Sequence, residues 1–205
     1  MRPSSLYFLE LTILLMVLGW NAGGPDQARE KAAAAPQTVA SGPKAEFLAE
    51  IAYYEQRYVR LAESVPAEKY AWRPLEGVRS IGEVYTHIVA ANYGVARSLG
   101  TPPPAGFDFN SVTALSTDKA KTVEALKDSF AHFRPAIQAL NDADANKPQK
   151  MFGRQTTLRG SFILITGHFG EHLGQSIAYA RMNGVVPPWT EEQQQQQKQA
   201  EKPKS

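Results

Sequence analysis

Residues 161–183, SFILITGHFGEHLGQSIAYARMN, decide how this chain is read. Phe162, Phe169, Leu173 and Ala180 recur at helical spacing, and Gly184 follows where a left-handed C-cap belongs. A second stripe, Gly167, Gly170, Gly174 and Ala178, carries almost no side chain. Each glycine costs about 1 kcal/mol relative to alanine in a helix interior, so close approach of a neighbouring helix backbone is expected along it. The third face holds His168, His172, Gln175 and Tyr179. Such a helix is expected to be surrounded by protein, with its inward polar groups paired or ligated. His168 and His172, at i and i+4, place two imidazoles on one face about one turn apart.

Upstream, the pattern is helical three more times. Phe47, Ile51, Tyr54, Tyr58, Leu61 and Val65 follow one stripe, with Gln56, Arg60 and Glu63 on the far side. Ser80 and Glu83 make a capping box, from which Ile81, Val84, Ile88, Ala91 and Val95 continue. Val123, Leu126, Phe130, Phe133, Ile137 and Leu140 form a third stripe, with Pro135 on its outer face, where it should kink or split the helix. Nothing alternates convincingly at period two. The expected fold class is all-α, a four-helix bundle over residues 44–188.

His87 lies at the edge of its helix's apolar stripe, beside Ala91 and Gly94, whose small side chains leave room for an ion. His87, His168 and His172 are therefore the expected metal ligands, a facial set of nitrogens with open coordination positions. His132 falls opposite the buried stripe of its helix and is expected to face solvent. The chain has no cysteine, which excludes disulfides, thiolate metal sites and a cysteine nucleophile. The cofactor is thus a divalent ion with nitrogen and oxygen ligands, its identity open among zinc, nickel, iron, manganese and copper. His168-Phe169-Gly170-Glu171-His172 also spells H-x-x-E-H, an inverted zinc-protease signature. That signature needs an acidic ligand well downstream, where only Glu191, Glu192 and Glu201 stand, so the match is read as coincidental. Glu171 remains a candidate catalytic base or an orienter of the ligands, against a plain helix-surface acid. Gln175 and, less directly, Asn92 are candidates for bonding a ligand imidazole or a substrate. Tyr85 and Tyr179 read as core aromatics with satisfied hydroxyls.

The ends differ in kind. Residues 1–24, with Arg2 ahead of the apolar run Leu11–Leu18, read as an export signal or anchor too short for a comfortable membrane span. Residues 25–43, rich in alanine, proline and glycine, read as a flexible tether. Residues 189–205, with glutamines at 193–197, read as a disordered tail. Export places the protein in the periplasm or outside the cell, with the membrane touched only through an uncleaved N-terminal segment. The net charge of +2 over 205 residues gives no electrostatic case for nucleic acid as a partner. The partner expected at the metal is a small-molecule substrate.

The run from His168 through Gln175 to Tyr179, Arg181, Asn183-Gly184 and Pro187-Pro188 resembles the final helix of the DinB/YfiT-like family. Trp72-Arg73-Pro74, Val78-Arg79-Ser80-Ile81-Gly82 and His87 resemble its second-helix region. The resemblance covers nearly all of residues 44–188. It implies an up-down-down-up bundle, often a homodimer, with a divalent metal on His87, His168 and His172. It also implies chemistry similar to thiol S-transferases and a thiol-dependent isomerase. Two functions are carried forward: a metal-dependent transferase or hydrolase, and a non-catalytic metal-binding or interaction bundle.

Overall fold

Each main helix begins where the local sequence can satisfy or dispense with its free amides. In the computed structural model, which describes residues 41–201, helix α1 (Pro43–Ser64) has proline at its start, where no amide donor is needed. The Ser80–Glu83 capping box heads α2 (Ile81–Ser98) as expected. Asp108 caps the short α3 (Phe109–Ala114) and Asp118 caps α4 (Lys119–Gln138). Thr157 caps α5 (Leu158–Met182), and Gly184 follows with φ 76°. Pro135 is exposed, and α4 continues through it to Gln138 unsplit. The expected signal segment, and the tether up to residue 40, lie outside the described residues. Among the described residues no helix is long and apolar enough to cross a membrane.

The four long helices form a bundle in which α1 and α2 each pack against both α4 and α5. Helices α1 and α2 thus face each other across one diagonal, and α4 and α5 across the other. The connections 65–80 and 139–157 are long because each crosses from corner to opposite corner. The core is strongly aromatic. Phe47 stacks on Phe162 with ring centroids 4.4 Å apart, and Phe169 lies 5.7 Å from Phe130 and 6.1 Å from Phe133. Most of the expected stripe is buried on every long helix, from Ile51 and Leu61 through Ile88, Leu126 and Ile137 to Phe169.

Four expectations need correction. A two-stranded antiparallel hairpin, β1 (Pro148–Met151) and β2 (Arg154–Thr157), leads into α5. Its strands are too short and polar to show an alternating pattern. The stretch expected to be disordered forms α6 (Pro188–Ala200). Its first turn is docked, with the Arg57 guanidinium 4.4 Å from the Trp189 ring and Arg60 paired with Glu192. Alanine, glutamine, glutamate and lysine then propagate a helix whose nucleation cost has been met. Nor is α5 enclosed: Ile163, Gly167, Glu171, Gly174 and Ala178 are exposed. The glycine stripe meets no helix backbone. A side chain at Gly167 or Gly174 would enter open space, and at Gly170 it would meet only the Tyr54 hydroxyl, 3.2 Å away. Finally, His132 is half-buried, because the Tyr93 ring covers it at 5.0 Å.

The close approach predicted for α5 occurs instead at the head of α2. A Cβ on Gly82 would stand 1.8 Å from the Ser116 carbonyl oxygen. The Gly82 amide donates to the Tyr70 carbonyl at 2.9 Å, and the Ile81 amide to that of Trp72 at 3.0 Å. Both donors would otherwise be orphaned at a helix start. Gly82→Ala should therefore destabilise the protein by about 2–3 kcal/mol, seen as a lower urea midpoint; an unchanged midpoint would contradict this contact.

Candidate metal centre

Helices α2 and α5 bring the three expected histidines together. Their ligand nitrogens all lie within 4.8 Å of one another. Nε2 of His87 and Nε2 of His168 are 3.1 Å apart. The His172 ring centroid is 4.6 Å from that of His87 and 4.7 Å from that of His168. His172 is buried, while His87 and His168 are half-buried beside an open cavity of about 720 Å³. That volume suits a small organic molecule.

The donor set fits a divalent ion on two counts. Two nitrogens each about 2.0–2.1 Å from a common ion would stand roughly 3 Å apart, which is the spacing of the first pair. Ligation also needs neutral imidazoles. Burial lowers the His87 pKa to about 4, with Arg79 and the other two histidines adding to the effect. Burial likewise lowers that of His168 to about 4, helped by His172 and Arg79 and opposed by Glu171. Both rings are therefore uncharged at neutral pH, with lone pairs available.

Gln175 supplies the outer support that metal-binding histidines usually have. Nδ1 of His172 lies 2.9 Å from Gln175 Oε1, and Gln175 Nε2 donates to the Tyr179 hydroxyl at 3.0 Å. The amide is thus oriented with its oxygen accepting from Nδ1–H. With the proton on Nδ1, the tautomer this contact favours, the Nε2 lone pair of His172 is left for the cluster. Trp72 holds the far end of this chain, its ring 5.5 Å from that of Tyr179 in an edge-on arrangement.

The other expected residues divide. Glu171 lines the cavity from the exposed side of α5. Asn92 does not join the site: five residues past His87, it sits about 140° around α2. Its amide donates to Ser129 Oγ on α4 at 3.0 Å, and its Oδ1 has no partner among the described residues. Tyr85 is fully buried as expected, but its hydroxyl likewise has no partner. Tyr179 has one, as expected. Sequence reasoning missed Arg79, Phe152 and Arg154, which also line the cavity. Arg79 stood next to the capping box, but nothing there showed which way it faced. Phe152 and Arg154 belong to the unrecognised hairpin.

The depressed histidines set a pH dependence in the metal-free protein. From about pH 7 down to about pH 4 the unfolded chain protonates these imidazoles before the folded chain does. Stability should then fall as the pH drops through that window and level off above the ordinary histidine value. The loss is read as a falling urea midpoint with the metal removed. A His87→Gln/His168→Gln variant should show a shallower slope; an equal slope would remove these rings as its cause.

Residues 51–176 match the DinB superfamily. No curated protein matches significantly. A DinB-like protein from Bacillus cereus superposes with a TM-score of 0.60 at 20% identity, covering 69% of this chain and 93% of its own. YfiT from Bacillus subtilis is described as a probable metal-dependent hydrolase with an unusual four-helix bundle topology. It superposes with a TM-score of 0.55 at 16% identity, covering 75% of this chain and 95% of its own. At these identities the likeness speaks for the fold, and the sequence match supplies the family: the chain belongs to the DinB superfamily.

Proposed function

We propose that this protein is a metal-dependent enzyme, of hydrolase or transferase type, acting on a small molecule bound over His87, His168 and His172. The observation that carries the reading is the convergence of the three imidazoles, two of them held neutral by burial, at the wall of a cavity open to a substrate. A divalent ion bound there supplies Lewis acidity to an oxygen or sulfur atom of a reactant.

The chain's own residues do the rest. Gln175 fixes the tautomer of His172 and so the direction of its free nitrogen. Glu171, on the cavity wall, accepts the proton that an attacking water or thiol must lose. Phe152, Ile163 and Leu164 give the cavity an apolar side that holds the non-reacting part of a substrate and limits competing water. YfiT, which shares the fold, is described as a probable metal-dependent hydrolase, which supports this reading. The proposed place of action is outside the cytoplasm, on the strength of Arg2 and the apolar run Leu11–Leu18.

Purified full-length protein should bind about one zinc or nickel ion per chain. His168→Ala should abolish that binding, and Gln175→Leu should weaken it by about 10–100-fold. Absence of metal uptake, or uptake indifferent to His168→Ala, defeats the metal centre. In screens of ester and amide hydrolysis and of thiol conjugation, Glu171→Gln should lower kcat by about 100-fold or more with metal content unchanged. Metal binding without turnover of any substrate class would instead favour a binding protein.

A further inference from the structure

Two arginines line the same cavity without a counterion. Arg79 precedes the capping box of α2 and Arg154 opens β2, so they approach from separate elements. Arg60, Arg73 and Arg134 are each paired with a glutamate, and Arg57 and Arg97 lie over aromatic rings. Arg79 and Arg154, like Arg159 and Arg181 outside this cavity, have no such partner among the described residues. Glu171 is the one acid in the cavity lining and pairs with neither. The cavity lining therefore carries a net positive charge before any metal is added.

Phe152 gives this cavity an apolar floor in an unusual way. It occupies the two-residue turn between Met151 and Arg154 with φ 50°, and Gly153 follows at φ 76°. Positive φ at both positions is what a type I′ hairpin turn requires, and asparagine–glycine meets that demand best. Among the described residues Phe152 is the one non-glycine residue with positive φ. Its ring is 47% exposed and lies 5.2 Å from the His168 ring, tilted by 33°. A large apolar ring in a strained position, half in solvent and set against a candidate ligand, marks a binding feature rather than a packing one.

From these observations we infer that the substrate is a small organic anion, a carboxylate or a phosphate ester, whose charged group is held by Arg79 and Arg154. Its apolar body lies over Phe152 and Ile163. Guanidinium groups suit both headgroups, since each can donate paired hydrogen bonds to two oxygens. The inference rests on the proposed site but on different residues from the metal ligands, so the two can fail separately.

The test is calorimetric titration of full-length protein, zinc-loaded and zinc-free, with 3-phenylpropionate, phenyl phosphate and 3-phenyl-1-propanol. At least one anion should bind about tenfold or more tightly than the alcohol in both forms, and the tighter of the two names the headgroup. Arg79→Gln/Arg154→Gln should erase that advantage with zinc content unchanged. Phe152→Ala should weaken the preferred aromatic anion several-fold while leaving propionate unaffected. Equal binding of anion and alcohol, no binding of any probe, or an advantage that survives loss of both arginines overturns the inference. Failure to take up zinc sinks the metal centre alone, because the arginine dependence is still read in the zinc-free protein.

Discussion

Phe169 sets the rotation of α5, and the site depends on that rotation. The ring is 1% exposed and is surrounded by Tyr54, Tyr58, Phe130 and Phe133. Its carbonyl also receives the Tyr58 hydroxyl at 2.7 Å. Truncating a buried ring of this size to alanine costs about 3–5 kcal/mol, more than loss of a single ordinary hydrogen bond at the cavity. Successive residues on a helix point about 100° apart. With Phe169 turned toward α1 and α4, His168 is turned away from both and toward α2. His172, one turn on, follows the same edge. The three-histidine cluster is thus placed by an aromatic core that contains none of its members.

The other half of the site is placed by α2, whose first turn is fixed from two sides. Gly82 admits the Ser116 backbone on one side, and Tyr70 and Trp72 take its free amides on the other. Arg79 and His87 therefore arrive together as one rigid piece. The two differ in burial: it lowers the His87 pKa and so favours the neutral, ligating ring, whereas Arg79 on the same segment is exposed. The positive charge at the rim further disfavours protonation of the histidines behind it. The proposed metal ligation and the proposed anion binding thus draw on the same arrangement.

The histidine cluster was legible because helical spacing carries directional information. His168 and His172 at i, i+4 had to share a face, and the Ser80–Glu83 box fixed the register of α2, on which His87 lies. Gln175 was legible for the same reason. What escaped was whatever depends on contacts distant in sequence. The glycines of α5 look like a packing stripe, yet only the fold shows that two of the three face open space. Asn92 shares a helix with His87, but the identity of its partner, Ser129, is a matter of which helix lies alongside. His132 was assigned to solvent from its own helix, whereas the Tyr93 ring that covers it comes from another. Helix α6 escaped because its anchor is one aromatic residue, Trp189, meeting Arg57 from α1.

The hairpin shows why a local rule is broken where the site needs it. Thr157 is both the last residue of β2 and the cap of α5, and the Leu158 amide bonds the Lys147 carbonyl at 3.0 Å. Turn, strand and helix are therefore continuous, and Phe152 is carried at a fixed offset from His168. Asparagine at the turn would relieve a conformation that costs an ordinary residue about 1–2 kcal/mol, but it would leave the cavity floor polar. A mobile loop bearing phenylalanine would avoid the strain but could not hold the ring against the imidazole. The strained turn meets both requirements at once, since its backbone is held by strand pairing and its side chain is free to face a ligand. The cavity is consequently a gap between the head of α2, tied through Gly82, Tyr70 and Trp72, and the hairpin joined to α5.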